Sequence, residues 1–149
     1  MDAYDYIIIG AGSAGCPVAR ALSDDPQNKV LLLEAGPHAD RFWVNTPAGM
    51  AKLYFHKTLN WNYHTEPMPR LNDRQMYWPR GKTLGGSSSI NGMIFIRGHR
   101  GDFDGWRDRG NPGWGYDDVL PHFKAMETFE RGGNAWRGVY TLVSLVGFV

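Results

Sequence analysis

Cysteine is nearly absent. The one thiol among 149 residues, Cys16, leaves no intramolecular disulfide and no multi-cysteine zinc site, and it points to a reducing compartment. An excess of charge of one sign is also missing. Sixteen basic against 15 acidic side chains give a formal net charge of +1, so no whole-chain field is directed at nucleic acid or an anionic membrane. Long hydrophobic runs are lacking too: no uncharged stretch approaches the ~20 residues of a spanning helix, and the C-terminal run Gly138–Val149 holds 12. The first five residues are acidic where a signal peptide is basic. His38, His56, His64, His99 and His122 show no metal-ligand spacing, and no two lie at i, i+4. These exclusions leave a soluble, cytoplasmic chain with no metal site and no transmembrane segment. Peripheral contact with the inner membrane stays open.

Nineteen glycines and 20 aromatic residues (six Trp, seven Tyr, seven Phe) are present instead. That aromatic content argues for a packed core and against disorder. The length is that of one domain. No internal repeats occur.

Tyr6-Ile7-Ile8-Ile9 is a β-branched run of the kind buried on both faces of a parallel sheet. Gly10-Ala11-Gly12-Ser13-Ala14-Gly15 follows as a turn, and Ala14 to Ser23 reads as a helix, stopped before Pro26. Pro17 is a blemish in that helix because it removes an early amide. Val30 to Glu34 is a second buried strand. Strand, turn, helix and strand predict a βαβ unit over residues 4–36.

The glycine spacing has a physical purpose. Gly10 permits the tight turn, Gly12 lets backbone approach a pyrophosphate, and Gly15 lets the helix pack close to the sheet. The helix N-terminus offers free amides and partial positive charge to phosphates. Glu34 stands about 20 residues past Gly15, where an acid accepts hydrogen bonds from ribose hydroxyls and disfavours a 2′-phosphate. The alternative is a glycine turn in an ordinary βα unit, with Glu34 a solvated strand end.

Residues 38–79 show no sustained period and are rich in aromatics and prolines, the mark of a functional loop or lid. Gly81-Lys82-Thr83 resembles the end of a Walker A loop, but Met76 stands where that motif needs glycine. The signal there is Arg80-Gly81-Lys82-Thr83-Leu84-Gly85-Gly86-Ser87-Ser88-Ser89-Ile90-Asn91-Gly92-Met93. Gly85-Gly86 allows close backbone approach, and the amides and hydroxyls that follow can cradle a second polar part of a ligand. A flexible linker is the alternative. Arginine-glycine clusters at 97–101 and 107–110 are interleaved with Asp102, Asp104 and Asp108, which reads as a solvated charged surface, and no nucleic-acid partner is expected. Tyr116 to Glu130 is an amphipathic helix with Val119, Phe123 and Met126 on one face and Asp117 and Asp118 at its positive end.

The run from Arg80 to Asn91, continued by Phe95, Gly98 and Asp104, resembles the N-terminal signature of the glucose–methanol–choline (GMC) family of FAD-dependent oxidoreductases. Tyr4 to Gly10 and Glu34-Ala35-Gly36 resemble that family's FAD-binding start. Pro47 to Met50, Leu59 to Tyr63 and Gly110 to Trp114 are similar to its branch around choline dehydrogenase and related alcohol dehydrogenases. The similarity covers residues 3–138.

The resemblance implies an α/β fold: a Rossmann-like βαβ FAD-binding unit (an incomplete doubly wound parallel sheet), a lid region over 38–79, the signature over 80–104 and the helix at about 116–130. It implies that Gly10, Gly12, Ser13 and Ala14 meet the FAD pyrophosphate and that Glu34, with Ala35 beside it, meets the adenosine ribose. It sets Trp61, Arg80, Gly85, Gly86, Asn91, Gly92 and Met93 along the flavin half. Some relatives attach FAD through a histidine, and the matching position is Trp78, so non-covalent FAD is expected. The implied reaction passes hydride from a primary alcohol or choline to the flavin while a histidine takes the hydroxyl proton. None of the five histidines matches that position, so no catalytic residue is assigned. The substrate-binding domain and the C-terminal catalytic segment have no counterpart, and after Gly138 the family's continuation gives way to Val139-Tyr140-Thr141-Leu142. The expectation is a fragment made by an early stop, a frameshift or a partial gene model, inactive alone. A non-catalytic module binding FAD or NAD is the alternative.

Overall fold

The computed structural model describes residues 3–139, which fall into two units, 3–93 and 94–139. In the first, β1 (Tyr6–Ile9), α1 (Gly15–Ser23) and β2 (Val30–Leu33) follow one another. β1 and β2 pair in parallel, Tyr6 opposite Val30 through Ile9 opposite Leu33. The result is a mixed α/β arrangement around a small parallel sheet. Asp5 caps the pairing by accepting from the Lys29 N–H at 2.8 Å.

α1 lays Cys16 and Ala19 into the interior. Pro17 costs this helix little, because its missing N–H belongs to the first turn, where no intrahelical acceptor exists. Asp24 ends the helix and pairs with Arg20 at 3.0 Å.

The strands differ from expectation in burial. Tyr6, Ile7, Ile9 and Leu33 are exposed, Ile9 by 85%. A β-branched run satisfies both faces of a sheet only when layers cover both, and among the described residues α1 is the element that packs on this two-stranded sheet. A cluster of buried apolar side chains lies elsewhere, where Leu53, Leu59 and Ile90 meet with Val44 against them.

The aperiodic stretch is partly ordered into α2 (Met50–Leu53) and a small hairpin of β3 (Tyr63–His64) and β4 (Tyr77–Trp78). Asn60, 2% exposed, holds the hairpin down. Its Nδ2 donates to the Tyr54 carbonyl at 2.8 Å, and its Oδ1 accepts from the Asn62 and Arg80 N–H groups at 2.9 and 3.0 Å. The opposite face leaves Trp61 and Tyr63 stacked at 5.7 Å, with Lys82 Nζ 4.4 Å above Trp61 and Arg80 over Trp78 at 4.9 Å.

The second unit contains a helix not expected from sequence, α3 (Arg100–Asp108). Its start is a reciprocal cap: His99 Nδ1 accepts from the Gly101 N–H at 3.1 Å, and Asp102 accepts from the His99 N–H at 2.9 Å. Of the charges read as a solvated surface, Asp102 starts this helix, while Arg100, Arg107, Asp108 and Arg109 are exposed as expected. α4 (Tyr116–Ala125) packs beside α3 through Phe103, Tyr116 and Phe123, and Arg100 grips Asp117 with Nη1 and Nη2 at 2.7 and 2.8 Å.

α4 stops at Ala125 instead of running to Glu130. The chain turns there because Gly138 packs against the Lys124 carbonyl, where any Cβ would lie at 1.8 Å, and because the Phe129 N–H donates to the Gly138 carbonyl at 2.9 Å. The apolar run beyond Val139 and the acidic Met1-Asp2 lie outside the described residues. Among the described residues no helix is long and apolar enough to cross a membrane, and no cluster of three metal-ligating side chains occurs.

Candidate cofactor site

The two glycine motifs meet. The Gly85 N–H donates to the Ala11 carbonyl at 2.7 Å, and Gly86, at φ +57°, lies so close to Gly12 that a Cβ on it would be 3.0 Å from the Gly12 Cα. Gly85, Gly86 and Thr83 are buried, which a flexible linker would not be. The Thr83 hydroxyl donates to the Pro37 carbonyl at 2.7 Å. Gly15 abuts β1 as its position in the motif requires: a Cβ there would stand 1.9 Å from the Gly10 carbonyl oxygen.

At the exit of this turn, among the described residues, the N–H groups of Gly12, Ser13 and Ala14 donate to no protein acceptor. Ser13 and Ala14 are exposed. Three free donors at the positive end of a nine-residue helix form a surface that suits an anion.

Glu34 stands at the end of β2, half-buried, with both carboxylate oxygens engaged. Oε2 accepts from the Ala11 N–H at 2.8 Å and Oε1 from the Gly36 N–H at 2.9 Å. Each oxygen keeps lone-pair capacity for a further donor. Ala35 lies exposed between these anchors. Cys16 is buried next to them, its thiol 3.3 Å from the Ala11 carbonyl, and burial, with a smaller contribution from the Glu34 charge, pushes that thiol up from its ordinary value.

Trp61 and Arg80 are neighbours on the hairpin, joined by a bond from the Trp61 N–H to the Arg80 carbonyl at 2.8 Å. Their strand enters the second glycine turn through the Gly81 N–H, which donates to the Ser87 hydroxyl at 3.1 Å. Asn91, Gly92 and Met93 are exposed, with Met93 at φ +57° and its N–H held by Asn91 Oδ1 at 2.8 Å. Asn91 and Met93 line, with Ser88 and Ser89, a depression of about 90 Å³ faced by Trp43 and Thr46. Gly10 to Gly15, Glu34, Gly85 and Gly86 therefore form one contact set, with Trp61 and Arg80 leading into it and Asn91 to Met93 leading out.

Sequence reasoning missed Ala11, Gly36, Thr83 and Asn60, whose backbone or amide groups tie these pieces together. A glycine two residues after the acid was the available signal for Gly36, and a lone threonine in a glycine/serine run for Thr83.

Residues 4–142 match the sequence profile of the GMC oxidoreductase N-terminal region. The chain belongs to the GMC oxidoreductase family. Alcohol dehydrogenase [acceptor] of Pseudomonas putida is 51% identical over 128 residues, 86% of this chain and 23% of its own length. An oxygen-dependent choline dehydrogenase of Rhizobium etli (strain CIAT 652) is 49% identical over 134 residues, 90% of this chain and 24% of its own. The crystal structure of pyridoxine 4-oxidase from Mesorbium loti superposes with a TM-score of 0.82 at 39% identity, covering 91% of this chain and 27% of that one. The chain thus spans about a quarter of the length of these GMC relatives.

Proposed function

We propose that this chain is the FAD-holding N-terminal region of a GMC oxidoreductase that oxidises a primary alcohol or choline to the aldehyde. The observation that carries this reading is the contact of Gly12 with Gly86, which brings the two glycine motifs together beside the unpartnered Gly12, Ser13 and Ala14 amides. A Cβ at Gly86 would fill the cradle, and the free donors suit a pyrophosphate.

β1, α1 and β2 are then the first part of a Rossmann-like, doubly wound sheet. Gly10, Gly12, Ser13 and Ala14 hold the pyrophosphate, with Gly15 seating α1, and the spare lone pairs of Glu34 take the ribose hydroxyls beside Ala35. Trp61, Arg80, Gly85, Gly86, Asn91, Gly92 and Met93 border the flavin half. FAD, when bound, supplies the hydride-accepting chemistry. Trp78 offers no nucleophile for covalent attachment, so the cofactor is held by non-covalent contacts alone. The groups that bind the alcohol and take its proton lie outside this chain, which by itself binds cofactor without turnover.

Gel filtration of the purified chain with FAD tests this. Yellow absorbance co-eluting with protein, and flavin released into the supernatant on acid precipitation, is the expected result. Colourless protein that binds NAD instead would establish a dinucleotide module of another kind. Oxidation of choline or a primary alcohol by the 149-residue chain would overturn the division of labour.

A further inference from the structure

Glu34 touches both of the places on which the second glycine motif is anchored. Ala11, fully buried, donates its N–H to Glu34 Oε2 at 2.8 Å while its carbonyl accepts from the Gly85 N–H at 2.7 Å. Gly36 donates its N–H to Glu34 Oε1 at 2.9 Å and lies against the Lys82 carbonyl, where a Cβ would stand at 2.0 Å. The next carbonyl, that of Pro37, accepts from the Leu84 N–H at 3.1 Å and from the Thr83 hydroxyl at 2.7 Å. One carboxylate therefore spans the two sites, Ala11 and Gly36-Pro37, that receive residues 82–85.

We propose that Glu34 is a positioning residue whose carboxylate clamps the Ala11 and Gly36 amides and so sets the spacing of the two glycine motifs before any cofactor arrives. Its functional consequence rests on the FAD reading above, while the clamp itself is a property of the ligand-free chain. Two amide donors on one carboxylate are charge-assisted bonds, stronger than neutral ones. They require an acceptor at both carboxylate oxygens. A ribose hydroxyl, which both donates and accepts, does not.

Glutamine at this position separates the two roles. Glu34→Gln keeps one acceptor oxygen and turns an NH2 donor toward the other N–H. A residue that only recognised ribose would tolerate that change, and a clamp would not. In the ligand-free 149-residue chain, hydrogen exchange resolved by NMR is expected to speed up tenfold or more at Gly85 and at Ala11 or Gly36 in the variant, with amides of α3 and α4 unchanged. FAD affinity is expected to fall at least tenfold. Exchange within twofold of wild type at all three amides would overturn the clamp, whatever happens to FAD affinity. Should the variant not fold, the wild-type chain decides: a trans-hydrogen-bond coupling from the Ala11 or Gly36 amide nitrogen to Glu34 Cδ is expected, and its absence at both sinks the proposal. Failure of wild-type protein to bind FAD would sink the functional reading and leave these ligand-free results standing.

Discussion

Gly12 and Gly86 meet backbone to backbone, and the contact is tight on one side: a Cβ on Gly86 would lie 3.0 Å from the Gly12 Cα, whereas one on Gly12 would stand an ordinary 3.9 Å from the Gly86 Cα. Gly86 is also left-handed at φ +57°, a conformation that costs a non-glycine residue of order 1–3 kcal/mol. Gly86→Ala is expected to destabilise the first unit by about that ~1–3 kcal/mol and to weaken FAD binding at least tenfold. Thermal unfolding together with a flavin-fluorescence titration measures both. Unchanged affinity would mean that this contact does not shape the site.

Gly15 and Gly92 form a matched pair for separating packing from ligand contact. A Cβ at Gly15 would stand 1.9 Å from the Gly10 carbonyl oxygen, a backbone atom that cannot swing away, whereas nothing lies within 4 Å of one at Gly92. Gly15→Ala is expected to reach or exceed the upper end of the ~1–3 kcal/mol seen for overpacking. Gly92→Ala should stay within about 0.5 kcal/mol of wild type in the absence of ligand. A Gly92→Ala chain with normal stability and weakened FAD binding would assign that glycine to the cofactor directly. Equal stability losses in the two variants would contradict the packing described.

Much of this site was legible because its chemistry is local. Gly10 to Gly15, the strand before it and Glu34 after it announce themselves by spacing, and the helix after Gly15 starts and stops as Pro17 and Pro26 allow. Long-range pairing was not legible. Nothing in the order of residues says that Gly85 bonds to the Ala11 carbonyl or that the Glu34 carboxylate reaches the Ala11 N–H, because Ala11 takes part in both through backbone groups that every residue carries. α3 was hidden for a different reason: its cap is His99 with Asp102, and histidine is not among the usual capping residues. α4 was read too long because Met126 and Glu130 continue its periodicity, while Gly138, far along the chain, decides where it ends. The exposed Ile7 and Ile9 mark the limit of pattern reading, since a buried-strand pattern describes what a strand can satisfy and not what covers it.

Cys16 supplies a prediction about reactivity. Burial chiefly, and the nearby Glu34 carboxylate to a lesser degree, raise its pKa, so the thiol stays protonated at neutral pH and the nucleophilic thiolate is scarce. Iodoacetamide at pH 7–8 is expected to leave the folded chain unmodified over a period in which the urea-unfolded chain reacts completely, as read by intact mass. Raising the pH through the ordinary cysteine range should accelerate labelling less in folded protein than in unfolded. Comparable rates in both states would show that Cys16 is accessible and unperturbed.

Glu127 holds the end of the second unit by charge. Its Oε2 accepts from Arg97 Nη2 at 2.9 Å and from the Gly138 N–H at 3.0 Å, and its Oε1 sits 2.6 Å from Arg137 Nη2. The side chains of Glu127 and Arg97 are only 10% and 13% exposed, and the Nε atoms of both arginines are buried without an acceptor. Removing the carboxylate would strip two guanidinium groups of the counter-charge they share, with little water to screen Arg97. Loss of one partner from a buried pair costs ~3–5 kcal/mol, and Arg137, a third exposed, places Glu127→Ala toward the low end of that range. Glu127→Gln, which still accepts from Gly138 but neutralises neither arginine, should fall between alanine and wild type. The loss should appear as faster amide exchange over residues 126–139 and a lower unfolding midpoint, with the amides of β1 and β2 unaffected. A Glu127→Ala chain as stable as wild type would mean that the turn after α4 is held by the Phe129–Gly138 backbone bond, with the two arginines contributing nothing to it.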